Sequence, residues 1–260
     1  MNKVFNENCL TTMDYMNDNI IDLVLTSPPY DNLRNYKGYC FPFEQIAMGL
    51  YRVLKPGGVI VWVVGDQTIN GSESGTSFKQ ALFFKSVGFN IHDTMIYHKR
   101  NSLPLNHNRY EQDFEYMFIL SKGKPAAFNP IIIPTTSNEK RDSVVRRNNP
   151  TETKSRLRHG AKRKDTKPTK IKGNIWTYNT GMHHTTSDKI AFLHPATFPE
   201  QLAADHILSW SNEGDLVYDP FIGSGTVAKM AKQLNRNYIG SEISAEYCAI
   251  IHERLNLKTA

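Results

Sequence analysis

Apolar residues recur along this chain with two periods, about two and about 3.6, and the alternation between them outlines an α/β protein. Lys3-Val4-Phe5 predicts a short strand, and the almost wholly apolar stretch 21–25 predicts a strand buried on both faces, as in a parallel sheet. Residues 43–54 have helical spacing and stop at Lys55-Pro56-Gly57-Gly58, after which 59–64 is an unbroken apolar strand. A second helix is predicted over 76–87 and is closed by Gly88. Residues 91–98 and 114–120 predict an antiparallel pair at the sheet edge. Further on, a helix over 198–209 enters through Pro199, which suits a first helical turn. The strand Leu216-Val217-Tyr218, a helical stretch over 227–234 and the strand Tyr238-Ile239-Gly240-Ser241 complete the pattern, and no internal repeat is visible.

Two of these strand ends carry chemistry. The first runs directly into Thr26-Ser27-Pro28-Pro29-Tyr30, where two prolines must end the strand and leave a hydroxyl, rigid carbonyls and an aromatic ring at its carboxyl end. In open α/β sheets that edge is where ligands bind. The hydroxyl and carbonyls accept hydrogen bonds from an exocyclic amine, and a tyrosine ring offers a face on which a planar base stacks. The second, Asp219-Pro220-Phe221-Ile222-Gly223-Ser224-Gly225-Thr226, is a glycine turn opening a helix, whose amino terminus presents free N–H groups. Seventeen positions beyond Gly225, Glu242 ends the next strand, where an acidic side chain suits a ribose diol. A proline turn and a lone Gly-x-Gly each close many ordinary strands; the two together, with Glu242 in register, favour a nucleoside-containing ligand.

Together the motifs resemble the amino-methyltransferases of DNA, which move a methyl group from S-adenosylmethionine to the exocyclic nitrogen of cytosine or adenine. The resemblance covers nearly the whole chain apart from about residues 130–172. It implies a catalytic motif at Ser27, Pro28, Pro29 and Tyr30, with Ser27 and the Pro28 carbonyl accepting the amine hydrogens and Tyr30 stacking on the base. It implies a cofactor motif at Phe221, Gly223, Gly225 and Thr226, preceded by a familiar His194-Pro195 and Pro199 stretch. The catalytic motif comes first, the permuted order of the so-called beta group; protein glutamine methyltransferases with a similar Pro-Pro-Tyr carry their glycines first. By the same resemblance Asp219 faces the amino group of the methionine moiety, and Thr197 and Phe198 line the methionine end. Asn8 takes the place near the cofactor adenine where relatives commonly have aspartate, and Asp66 is a candidate for lining the catalytic edge. The implied fold is a Rossmann-like, seven-stranded methyltransferase sheet with a basic target-recognition insertion. Serine before Pro-Pro-Tyr resembles the cytosine-N4 enzymes, aspartate the adenine-N6 enzymes, and adenine stays the alternative. No metal is required, because the sulfonium already activates the methyl group.

Charge adds the partner. Between 140 and 172 stand thirteen Lys and Arg against three Asp and Glu, a surplus of +10, whereas the remaining chain holds eighteen against twenty-two. That segment carries Arg146, Arg147, Arg156, Arg158, Lys162, Arg163 and Lys164 and has no aromatic residue to seed a core. Basic side chains in this density suit a phosphate backbone. Double-stranded DNA is the expected partner, with structured RNA and a catalytically silent DNA-binding protein as alternatives; any cognate restriction endonuclease would be encoded separately, and the sequence leaves open whether the enzyme is paired or solitary. The expected organisation is a catalytic part over 1–129, a basic target-recognition insert over 130–185 and a cofactor-binding part over 186–260. At 260 residues the chain supports one substantial core. The three cysteines, Cys9, Cys40 and Cys248, are too scattered for a disulfide framework or zinc site, and none follows proline as a cytosine-carbon methyltransferase requires. No apolar stretch reaches about 18 residues, and Met1-Asn2-Lys3 opens no signal peptide, so a cytoplasmic location is expected. Oligomeric state is left open by the sequence.

Overall fold

The computed structural model describes residues 2–29, 41–101, 109–135, 168–182 and 184–256. Along the chain the elements are β1 (Lys3–Phe5), α1 (Cys9–Asp14), β2 (Ile21–Thr26), α2 (Phe43–Val53), β3 (Leu54–Val64), β4 (Thr68–Ile69), β5 (Ser72–Glu73), α3 (Thr76–Val87), β6 (Asn90–Lys99), β7 (Phe114–Ser121), β8 (Ile132–Pro134), β9 (Thr169–Ile171), β10 (Ile175–Tyr178), α4 (Glu200–Trp210), β11 (Leu216–Asp219), α5 (Thr226–Gln233), β12 (Asn237–Ser241) and α6 (Ala245–Asn256), with a 3-10 turn at Lys189–Leu193 before α4.

Eight strands form the main sheet in the order β1-β12-β11-β2-β3-β7-β6-β10. Every neighbouring pair is parallel except those of β7, which runs antiparallel to both β3 and β6. The carboxyl ends of β12, β11, β2, β6 and β10 therefore lie along one edge of the sheet, joined there by the amino end of β7. Strand β2 is central and buried on both faces: Leu23, Val24 and Leu25 have no exposed surface, which explains its continuous apolar run. Against one face pack α2 and α3, whose Leu50, Ile46 and Phe84 meet Ile60 and Trp62 of β3 in the principal core. Trp62 is buried completely, and its indole N–H donates to Gln80 Oε1 at 2.8 Å, so the polar atom does not go unpaired in that core.

Three departures from the sequence pattern have local causes. Strand β3 begins at Leu54, earlier than expected, because Lys55-Pro56-Gly57-Gly58 forms an irregular extension of it: the register against β2 shifts between Ile21 and Leu23, and the Gly57 amide donates to the Lys122 carbonyl at 2.6 Å. The sheet has eight strands, one more than expected. The additional strand, β10, pairs with β6 and takes the edge assigned to β6 and β7. Its alternation is short, with Trp176 and Tyr178 buried and Ile175 exposed. Pro199 precedes α4 as its capping residue with extended backbone.

The chain divides into two compact units, Met1–Asn129 with Gly173–Ala260, and Pro130–Lys172. The smaller ends at Lys172, short of the expected boundary at 185, because the pairing of β10 with β6 draws the following residues into the main sheet. Within it, β8 and β9 form an antiparallel pair with Ile132 opposite Ile171. Among the described residues no helix is long and apolar enough to cross a membrane.

Candidate active site

Strands β11 and β2 pair only through Val217 with Leu23 and Tyr218 with Val24, and then part. The helix after β11 leads to β12 on one side, while that after β2 leads to β3 on the other. Such a reversal of direction opens a crevice at the carboxyl edge of an α/β sheet. Where the backbones separate, side chains take over: Thr26 Oγ1 donates to Asp219 Oδ1 at 2.7 Å. The same carboxylate oxygen accepts the Phe221 amide at 3.0 Å and so fixes the start of the glycine turn. Burial pushes the Asp219 carboxyl up to about 7; the two hydrogen bonds pull it down and the charge of Glu242 pushes it up.

The two glycines of the turn are required for different reasons. Gly223 has φ +51°, and a Cβ there would stand 3.0 Å from the His194 ring. Gly225 has φ +82°, and a Cβ there would meet Ile251 of α6 at 2.9 Å, so its absence lets α5 settle against α6. The Gly223 amide donates to Glu242 Oε2 at 3.1 Å, and the Ser244 amide to Glu242 Oε1 at 2.9 Å. Burial raises the Glu242 pKa, opposed by the backbone donors of Ser244, Gly223 and Ile243. Glu242 also lines the cavity described next. His194 folds back on its own loop, with Nδ1 2.8 Å from the Ala196 carbonyl and its ring edge-on to Tyr247 at 4.4 Å between centroids, a structural role.

One cavity of about 940 Å³ brings Ser27, Pro28 and Pro29 together with Thr197, Phe198, Asp219, Phe221, Gly223, Thr226 and Glu242. Its wall at the β11 and β12 end carries two carboxylates, an aromatic ring and the apolar side chains Ile222 and Val227, a donor set suited to a cationic ligand bearing an amine and a diol. The residues present thus fit S-adenosylmethionine. On the other side of β2 the cavity continues along Tyr97, Lys99 and Glu115. There Lys99 Nζ pairs with Glu115 Oε1 at 2.6 Å, while burial and then the charge of Glu115 keep the Tyr97 phenol protonated.

Several expected residues fall elsewhere. Asn8 does not line the cavity: its side chain accepts the Leu10 amide at 2.9 Å and caps α1, and its neighbours Glu7 and Cys9 contribute to the wall instead. Gly225 lies behind the wall, in the helix contact. Asp66 is likewise structural, accepting the Ser77 amide at 2.9 Å, the Ser74 hydroxyl at 3.1 Å and the Ser77 hydroxyl at the start of α3. Tyr30 and the basic residues Arg146, Arg147, Arg156, Arg158, Lys162, Arg163 and Lys164 lie outside the described residues. Tyr97 and Lys99, which line the cavity, were not among the residues expected there. Their signal was the period-two alternation of β6, which sets both on the face of Met95 and carries it to the functional edge.

The DNA methylase family model of N6 and N4 methyltransferases matches residues 21–253. The orphan methyltransferase M.BamHII of Bacillus amyloliquefaciens is 56% identical over 238 residues, covering 92% of this chain and 89% of that protein. The type II methyltransferase M.BglII, from Bacillus subtilis, is 30% identical over 267 residues, covering 98% and 69%. Among solved structures, the cytosine-N4-specific PvuII DNA methyltransferase superposes with a TM-score of 0.73 at 21% identity over 98% of this chain and 88% of that one. The M1.HpyAVI complex with S-adenosylmethionine gives 0.65 at 24% over 99% and 100%. Motif order, sheet topology and these similarities converge: the chain belongs to the DNA methylase family and is an S-adenosylmethionine-dependent DNA amino-methyltransferase of the N4/N6 type.

Proposed function

We propose that this enzyme methylates the N4 amine of cytosine within duplex DNA, at a base turned out of the helix into the cavity described above. The observation that carries this reading is the placement of Ser27 and Pro28 in the same cavity as Asp219, Gly223 and Glu242, with serine in place of a carboxylate at the amine-binding position. S-adenosylmethionine supplies a methyl group that its sulfonium charge has already activated. Glu242 would hold the ribose hydroxyls, Asp219 the methionine ammonium, and Phe221, Thr197 and Phe198 the surfaces between them.

The exocyclic amine is a poor nucleophile because its lone pair is delocalised into the ring. Ser27 Oγ and the Pro28 carbonyl, held rigidly by the Pro28-Pro29 turn, accept hydrogen bonds from its two hydrogens and draw the nitrogen toward tetrahedral geometry, so the lone pair localises for in-line attack. The nitrogen–methyl bond would form as the sulfur–methyl bond breaks, S-adenosylhomocysteine would leave, and the nitrogen would release one proton to solvent. Tyr30 would stack on the extruded ring. A serine hydroxyl accepts from the amine of either base, so the choice of cytosine rests on the resemblance of Ser27-Pro28-Pro29-Tyr30 to the cytosine-N4 enzymes. Extrusion costs a few kcal/mol, met by contacts to the freed base and by phosphate contacts from Arg146, Arg147, Arg156, Arg158, Lys162, Arg163 and Lys164. Action on cellular DNA supports a cytoplasmic location, and any restriction endonuclease of matching specificity would be encoded separately.

The test is identification of the product nucleoside. Duplex DNA incubated with the enzyme and methyl-labelled S-adenosylmethionine, digested and resolved by mass spectrometry, should yield N4-methylcytosine. N6-methyladenine as the sole product would transfer the reading to adenine, and labelling of structured RNA in preference to DNA would reject the substrate class.

A further inference from the structure

Behind the glycine turn lies a group of four charged side chains that the chemistry itself does not use. Arg254 of α6 is the centre of it, with no exposed side-chain surface. Its Nη1 donates to the Ser224 carbonyl at 2.5 Å and lies 3.2 Å from both Ser224 Oγ and Thr226 Oγ1. Its Nη2 donates to Glu200 Oε1 at 2.7 Å and its Nε to Asp188 Oδ2 at 3.1 Å. Lys229 of α5 donates to the same two oxygens, each at 2.8 Å. Thr186 Oγ1 adds a bond to Glu200 Oε1 at 2.6 Å, so two cations, two anions and a hydroxyl form one closed network. Burial pushes the Asp188 carboxyl up, and hydrogen bonds from Lys229 and Arg254 outweigh it and hold the group below its usual range.

The placement of the partners matters. Asp188 and Glu200 bracket the segment 189–199, which contributes His194, Thr197 and Phe198 to the cavity, and Ser224 and Thr226 belong to the turn that contributes Gly223. Arg254 therefore reaches from one cofactor-facing segment to the other while not lining the cavity itself. A guanidinium reaches a carbonyl and two carboxylates in three fixed in-plane directions; an ammonium on a flexible stem does not reproduce that fork.

We propose that Arg254 is a positioning residue which sets the spacing between the glycine turn and the segment 189–199, and through that spacing the affinity for S-adenosylmethionine. This rests on reading the cavity as the cofactor site. Simple removal of Arg254 leaves two half-buried carboxylates facing one lysine and threatens folding on charge grounds alone. The pair Asp188→Asn with Arg254→Met restores the balance, leaving Lys229 with Glu200, and yet lacks the fork.

The experiment measures the dissociation constant for S-adenosylmethionine by calorimetry, with Tm and single-turnover rate at saturating cofactor alongside. It compares the wild type, the charge-balanced double variant, Arg254→Lys and the reference variant Glu242→Gln. The proposal expects the balanced double variant to bind about tenfold or more weakly, the scale on which supporting residues behind a binding site act. Its saturated rate should stay within about threefold and its Tm should exceed that of Arg254→Met alone. Arg254→Lys, which keeps the charge, should fall between. Affinity within about twofold of wild type in the folded double variant overturns the proposal, since charge balance alone would then have sufficed; if that variant does not fold, the same affinity in Arg254→Lys overturns it. Should Glu242→Gln also bind as tightly as the wild type, the reading of the cavity as the cofactor site is what fails.

Discussion

Thr26 Oγ1 donates to Asp219 Oδ1 at 2.7 Å across a sequence separation of 193 residues, where β2 and β11 cease to pair. This contact joins the strand that leads into Ser27-Pro28-Pro29 to the strand that leads into the glycine turn. It makes one crevice of two motifs.

Replacing Thr26 with valine keeps the shape and removes the donor. Asp219 Oδ1 then retains the Phe221 amide alone, inside a site where an underpaired polar group costs about 1–3 kcal/mol. Urea denaturation should show a loss of stability in that range, and calorimetry a weaker affinity for S-adenosylmethionine, since the start of the turn is released with it. Unaltered stability would mean that the hydroxyl is dispensable.

Asp219 also predicts a dependence on pH. Its folded pKa, about 7, lies above the ordinary 3.8, so the native state binds this proton more tightly than the unfolded chain. The group's contribution to stability is therefore fully present below 3.8, declines as pH rises toward about 7 and is lost above it. Ligand-free protein should lose stability over that window, and Asp219→Asn should remove this component. Affinity for the cationic cofactor should move oppositely, strengthening as pH rises through about 7 and Asp219 ionises. An Asp219→Asn variant with the wild-type pH profile of binding would contradict the assignment.

At Gly225 the cost of a side chain has two parts that a control separates. Gly214 also has positive φ, +84°, with nothing within 4 Å of a would-be Cβ, whereas at Gly225 the Cβ meets Ile251 at 2.9 Å. Gly214→Ala should cost about 1 kcal/mol from backbone conformation. Gly225→Ala should cost about 1–3 kcal/mol more, from displacement of α5 against α6, and should weaken cofactor binding. Equal effects at the two sites would show that the helix contact is not what Gly225 serves.

The basic segment is tested by salt. Neutralising Arg156, Arg158, Lys162, Arg163 and Lys164 together should reduce the slope of log affinity for DNA against log salt concentration by about 0.9 for each phosphate contact removed. An unchanged slope would detach the segment from the phosphate backbone.

What the chain disclosed in advance follows from where its physics is local. Strand β2 was legible because a strand buried on both faces has no polar alternation, and the α3 stop at Gly88 because φ +121° admits little else. The meeting of Ser27 with Gly223 and Glu242 was legible only through resemblance of motifs, since it depends on the order of strands in the sheet. Asn8 misled because capping a helix and contacting a ligand ask for the same small amide. The β10 strand escaped notice because four residues beside a polar stretch carry too little alternation. Arg254 gave no signal: on a helix an arginine reads as solvent-facing, and its partners Asp188, Glu200 and Ser224 arrive from other parts of the chain.

The account depends most on Ser27 acting at the reacting amine in a cavity it shares with the cofactor. Single-turnover methyl transfer by Ser27→Ala, measured together with the dissociation constant for S-adenosylmethionine, addresses that directly. The predicted result is a rate lower by about a hundredfold, the scale of one lost hydrogen bond made in the transition state, with cofactor affinity unchanged. A rate equal to wild type, or a loss confined to cofactor binding, would contradict it.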